Sequence, residues 1–146
     1  MIALACDHGG FELMKVVKGH LESAGYTYKD FGTYTSESCD YPTFAAPAAH
    51  AVADGVCDRG ILICTTGIGM SIAANKTSGI RAALCTNCYM AEMTRSHNDA
   101  NVLVLGSHIV DSDLAVAIID TFLNTAFSNE EKHCRRVAML NSLDTV

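Results

Sequence analysis

A single cysteine at the end of a short apolar run is the residue best placed to do chemistry in this 146-residue chain. The run is Gly60-Ile61-Leu62-Ile63-Cys64, and Thr65-Thr66-Gly67-Ile68-Gly69 follows it before a helical pattern begins at Met70. An uncharged, β-branched run of this length reads as a strand buried on both faces. The residues behind it are small or glycine, so the backbone can approach a ligand and aim N–H groups at it. A thiol at the start of a helix is the kind whose thiolate becomes available near neutral pH. Two readings stand at this point: a reactive thiol beside an anion cradle, or a core cysteine followed by a tight turn.

Rival motifs fit less well. A phosphatase loop needs an arginine a few residues past the cysteine, and none comes before Arg81. Gly67-x-Gly69 continues to Ile72 rather than Gly or Ala, and no P-loop pattern is present. Cys85-Thr86-Asn87-Cys88 is a lone C-x-x-C, too little for zinc and weak for a redox pair. Two histidines, His8 and His97, sit at the ends of regular elements, and either residue alone is read as structural. The segment His97-Asn98-Asp99-Ala100-Asn101 gathers many short hydrogen-bonding side chains. Near the C-terminus Lys132 and Arg136 are four residues apart and share a helix face, with His133 and Arg135 beside them. Such a face is either simply solvated or set against a phosphate, which Arg136 can clamp bidentately while Lys132 acts as a point charge.

The elements that must position these groups alternate along the chain. Strands are expected at Ile2–Cys6, Tyr26–Phe31, Gly60–Cys64, Ile80–Cys85 and Asn101–Leu105. Helices are expected from Phe11 to a stop at Gly25, from Pro42 to Ala53, from the Cys64 loop to Lys76, and from Asn87 to His97. A further helix is capped by Asp111 or Ser112, and a last one opens on Ser128-Asn129-Glu130-Glu131, which fits a capping box, and runs to Asn141. Five strands alternating with helices predict an α/β fold with a parallel sheet and right-handed crossovers, one domain over residues 1–146. Ligands of such sheets bind beyond the carboxyl ends of the strands, where Asp7-His8 and the Cys64 loop fall.

Composition narrows the function. A net charge of −6 argues against a nucleic-acid or anionic-membrane surface. No run approaches the length of a membrane span, and Met1–Ala5 lacks the features of a signal peptide. Seven cysteines scattered through a chain that is 49% apolar read as reduced thiols of a cytoplasmic protein rather than a disulfide scaffold. Asn75-Lys76-Thr77 matches a glycosylation acceptor, which carries no meaning there.

Six segments in this order resemble the ribose-5-phosphate isomerase type B and galactose-6-phosphate isomerase family: Asp7 to Glu12, Asp40-Tyr41-Pro42, Cys64 to Lys76, Gly79 to Ala83, His97 to Leu103, and His133 to Val137. The resemblance covers nearly the whole chain. It implies a Rossmann-like three-layer sandwich with a five-stranded parallel sheet and an extra C-terminal helix. It implies isomerisation of an aldose phosphate to its ketose with no metal and no organic cofactor, in a homodimer or homotetramer whose active site is shared between subunits. Carried over by position, Cys64 is the base that moves a proton between C1 and C2, and His97 opens the sugar ring. Thr66, Gly67, Ile68 and Gly69 form the loop that holds the enediolate oxygens. Asp7, His8, Tyr41 and Asn98 contact substrate, and Arg136 binds phosphate. The chain departs from the family at Thr65, where glycine is usual, and at His108 and Lys132, where arginines are usual. These departures bear on phosphate affinity and on which sugar fits, so galactose 6-phosphate, allose 6-phosphate or a tetrulose phosphate stand beside ribose 5-phosphate as substrates. A sugar-phosphate-binding subunit without activity, or a thiol redox protein using Cys85 and Cys88, are the readings from other classes.

Overall fold

The computed structural model describes residues 1–144. Five parallel strands lie side by side in the order β2-β1-β3-β5-β4. They are β1 (Ile2–Cys6), β2 (Tyr28–Asp30), β3 (Arg59–Cys64), β4 (Ala82–Leu84) and β5 (Val102–Gly106). Six helices connect or follow them: α1 (Phe11–Ser23), α2 (Tyr41–Ala53), α3 (Ile68–Ala74), α4 (Cys88–Ser96), α5 (Ser112–Asn124) and α6 (Glu131–Asn141). The expected α/β alternation is present throughout, and the architecture is the Rossmann-like three-layer sandwich with an added C-terminal helix.

The strands alternate their side chains between the two faces. On one face Leu4, Ile61, Ile63, Leu103 and Leu105 meet α1, α4 and α5. On the other Ala3, Ala5, Leu62, Val102 and Val104 meet α2 and α3. The chain steps one way across the sheet through α1 and α4, and the other way through α2 and α3. Helix face changes with the direction of travel, as a single crossover hand requires. The direction first reverses between β1 and β3, so the carboxyl ends of those two strands flank the crevice where such sheets take ligands.

The edge strands are shorter than expected. β2 covers Tyr28–Asp30 rather than Tyr26–Phe31, and β4 covers Ala82–Leu84 rather than Ile80–Cys85. Each pairs with one neighbour over three residues. Helix α3 stops at Ala74 rather than Lys76, where the Asn75 side chain joins Ala82 by accepting from its N–H and donating to its carbonyl. The Asp111 cap is as expected, its carboxylate accepting from Leu114 N–H at 2.8 Å. The capping box is not. Asn129 lies at φ +57 and the Ser128 hydroxyl accepts from Glu130 N–H, which moves the helix start to Glu131 with Glu130 as an N-cap whose side chain makes no cap bond.

Candidate active site

The site residues gather into two groups at opposite ends of the sheet. At the carboxyl end, β3 delivers Cys64 onto the α2/α3 face, where the residue is 5% exposed in the core cluster that also holds Met70 and Ala45. The thiol is therefore more enclosed than a surface nucleophile. It is not apolar in its contacts, since Gly67 N–H donates to Sγ at 3.1 Å. Gly67 makes this turn possible. It sits at φ +79, and a Cβ there would lie 2.4 Å from Leu84 and 3.0 Å from the Leu105 backbone.

The loop beyond is more self-contained than its composition suggests. Ile68 N–H is taken up by the Thr66 hydroxyl at 3.3 Å, so two of the four N–H groups expected to face a ligand are turned inward. The donors left for a ligand are Thr66 and Gly69, the latter within the first helical turn, where N–H groups have no intrahelical acceptor. The Tyr41 ring lies against Gly69, and a Cβ at Gly69 would come within 2.8 Å of it. Thr65 is half-buried and faces Gly9, and its carbonyl accepts from His108 N–H at 3.0 Å. His108 itself is exposed.

The β1 loop closes the other side of the crevice. Asp7 is 6% exposed, and its Oδ1 accepts from Gly9 and Gly10 N–H at 2.9 and 3.2 Å. The neighbouring His8 accepts Cys39 N–H on Nδ1 at 3.2 Å. That bond leaves its proton on Nε2, an outward donor for an anionic or hydroxyl group. Cys39 and Ser107, whose hydroxyl donates to Gly9 carbonyl at 2.6 Å, are supports that no sequence pattern marked. Cys6 ends β1 one strand away from Cys64, but burial, with Asp30 adding to it, pushes its thiol pKa up to about 12. Burial likewise pushes Cys85 up to about 11, the wrong direction for a redox nucleophile.

His97, Asn98, Lys132 and Arg136 are not part of this crevice. His97 is the C-cap of α4, and four residues of turn and link (Asn98 to Asn101) then lead to the start of β5. Register sets the separation: Gly60 aligns with Val102, and Cys64 aligns with Gly106. Cys64 and the turn at His97 are thus separated by at least four residues of strand rise, about 13 Å. Around His97 a second set forms. The His133 ring of α6 stacks on it, Arg136 follows one turn later, and Asn98 lines a cavity of 280 Å³ with Arg81 and Asn141. Arg81 Nε donates to the Asn98 carbonyl, and Nη1 donates to Asn141 Oδ1. Burial, then the adjacent His97, holds the His133 pKa below the usual histidine value. His133 and Arg81 were passed over in the sequence, although His133 and Val137, one turn apart, are the buried pair of α6.

One crevice therefore carries a thiol, a carboxylate and a histidine donor, and a separate cluster carries histidine and cations. The chain as a whole is matched in known proteins. The sequence model of the Ribose/Galactose Isomerase family matches residues 2–140. The ribose-5-phosphate isomerase B of Escherichia coli strain K12 is 46% identical over 143 residues, covering 98% of this chain and 95% of that protein. The structure of Clostridium thermocellum ribose-5-phosphate isomerase B superposes with a TM-score of 0.95 at 51% identity, covering 97% of this chain and 95% of that one. The Thermotoga maritima ribose 5-phosphate isomerase structure gives 0.94 at 46% identity, covering 97% of each chain. With agreement of this extent in sequence and in fold, the chain belongs to the ribose/galactose isomerase family of enzymes.

Proposed function

We propose that this protein interconverts ribose 5-phosphate and ribulose 5-phosphate through a cis-enediolate, in an active site built from two copies of the chain. The observation that carries this reading is the separation of the two groups. Cys64, Asp7 and His8 stand at one end of the sheet and His97 and Arg136 at the other, each set half of what the reaction needs. A second copy docked end to end completes both crevices by symmetry. This is the homodimer reading, and a tetramer of two such dimers keeps it.

The chemistry is proton transfer alone. The partner's His97 moves a proton to the ring oxygen and opens the sugar. The Cys64 thiolate then takes the proton from C2 of the open aldose, and the electron pair moves to the C1 carbonyl to form the enediolate. The thiol so formed returns that proton to C1 while the O2 hydroxyl proton passes to O1, leaving a hydroxyl at C1 and the ketone at C2. No electron enters or leaves, so no redox cofactor has a necessary step. General acid–base help of this kind contributes about 10²–10⁴-fold. The first turn of α3 supplies donors to the developing oxyanion, each typically worth ~2.7–4 kcal/mol in comparable sites. Phosphate is held by the partner's Arg136 with the partner's Lys132 beside it, and by His8 through Nε2–H. All seven cysteines are free, which suits the reducing cytoplasm, and no helix among the described residues is long and apolar enough to cross a membrane.

Cys64→Ser tests the base. The variant loses nearly all turnover while still binding ribose 5-phosphate in a calorimetric titration; full turnover removes Cys64 from that role. A panel of four- to six-carbon aldose phosphates tests the substrate, with ribose 5-phosphate expected to have the highest kcat/KM. A preference for a tetrose or hexose phosphate overturns the pentose assignment, and silence towards all of them overturns the enzyme reading in favour of a binding subunit.

A further inference from the structure

The turn that carries His97 is held from two sides. Asp99 lies at φ +46, and its carbonyl accepts from Arg81 Nε and Nη2 at 3.1 and 2.8 Å. Its carboxylate meets Arg81 Nη2 at 3.3 Å and Arg95 Nη1 at 2.8 Å. Arg95 is 3% exposed and also donates to the Ala100 carbonyl. With that backbone fixed, the remaining freedom of His97 is the orientation of its ring.

Helix α6 removes it. Most of this helix faces solvent, and its buried residues are His133 and Val137. The His133 ring lies 4.2 Å from the His97 ring, with the two planes 11° apart. His133 is 6% exposed while His97 is only partly covered, so the first ring backs the second. The charged and titratable groups that bear on His133 are His97 from the turn after α4, and Glu130, Lys132 and Arg136 from α6 itself. Burial, then the neighbouring His97, makes His133 harder to protonate than a free imidazole, and its neutral π-face attracts rather than repels a neighbour that gains a proton.

We propose that His133 is a positioning residue, the flat stop that holds the His97 imidazole in one rotamer facing out of the subunit. The inference rests on the reading of His97 as the ring-opening group. His133 touches no reacting atom and acts through His97 alone. What it supplies is the ring face rather than its nitrogens, so another aromatic ring serves in its place.

The test compares His133→Leu, which keeps apolar bulk under α6 without a ring, with His133→Phe, which keeps the ring without nitrogens. Steady-state rates on ribose 5-phosphate are measured for both in the wild-type and His97→Ala backgrounds, with a thermal melt of each variant. In the wild-type background His133→Leu lowers kcat about tenfold with KM little changed, and His133→Phe stays within about threefold of wild type. In the His97→Ala background His133→Leu costs nothing further. A Phe variant as slow as the Leu variant, or an undiminished loss when His97 is already gone, overturns the inference. An unchanged kcat for His97→Ala alone instead removes His97 from ring opening, and with it the premise. A melt lowered in His133→Leu but not in His133→Phe, with equal kcat, assigns the ring to stability and also overturns the inference.

Discussion

Gly67 and Gly79 form a matched pair that separates two costs usually measured together. Their backbones are nearly identical in φ, at +79 and +80. Alanine at either position meets the left-handed penalty of roughly 1–2 kcal/mol. Space is where they differ. A Cβ at Gly79 has nothing within 4 Å, whereas at Gly67 it falls 2.4 Å from Leu84 Cδ1, 3.0 Å from Leu105 carbonyl carbon and 3.2 Å from Gly106 nitrogen. The leucine tip can move but the β5 backbone cannot do so cheaply, which adds the overpacking cost of about 1–3 kcal/mol. Gly79→Ala therefore lowers the melting temperature by about 2–8 °C and Gly67→Ala by about 4–20 °C, at roughly 2–4 °C per kcal/mol in a domain of this size. Both are measured by calorimetry at one protein concentration, because association shifts apparent stability. Turnover separates them further, since the Gly67 shift carries its N–H away from the Cys64 sulfur while Gly79 stands at the far end of α3. Equal losses of stability at the two glycines refute the crowding argument. Full activity in Gly67→Ala refutes the claim that the bond to sulfur matters.

Two further outcomes rest on the His97 end of the molecule. Asp99→Ala leaves the buried Arg95 guanidinium without its partly exposed carboxylate but with the Ala100 and Thr125 carbonyls, which costs roughly 1–3 kcal/mol; urea unfolding checks this, and a loss below about 0.5 kcal/mol contradicts it. The lowered pKa of His133 makes the folded state bind fewer protons than the unfolded chain below the ordinary value of 6.5. Stability from this group is present above that pH and is lost as pH falls through the folded pKa, so the urea midpoint of the wild type drops between pH 7 and 5 more than that of His133→Phe. An equal or smaller drop contradicts the assignment.

Much of this was legible in the chain itself. The strand and turn around Cys64, the Asp111 cap and the alternation of strands with helices follow from local pattern, because a doubly covered strand and a capped amphipathic helix each leave a period in the sequence. The strand edges were less so. Tyr26 to Phe31 and Ile80 to Cys85 have the composition of longer strands, but each has a neighbour on one side only and pairs with just the first three residues of that neighbour's strand. The capping box at Ser128 failed for a local reason, the left-handed Asn129, that composition does not reveal. Of the candidate site, residues adjacent in sequence came together as expected. What the sequence could not place was His97 relative to Cys64, since that depends on strand order and on which end of α4 the turn occupies. His133 was given no role of its own because a histidine among lysines and arginines reads as one more surface polar residue until the helix face is known.

Mixing two crippled variants measures the shared site most directly. Cys64→Ser chains, which are inactive, and His97→Ala chains, which keep only a slow residual turnover, are co-expressed in equal amounts and assayed on ribose 5-phosphate. If each crevice takes Cys64 from one chain and His97 from the other, half of the dimers are mixed and each mixed dimer holds one intact site, which gives about a quarter of wild-type activity. A mixture no more active than its parents places both residues' work within a single chain and contradicts the account.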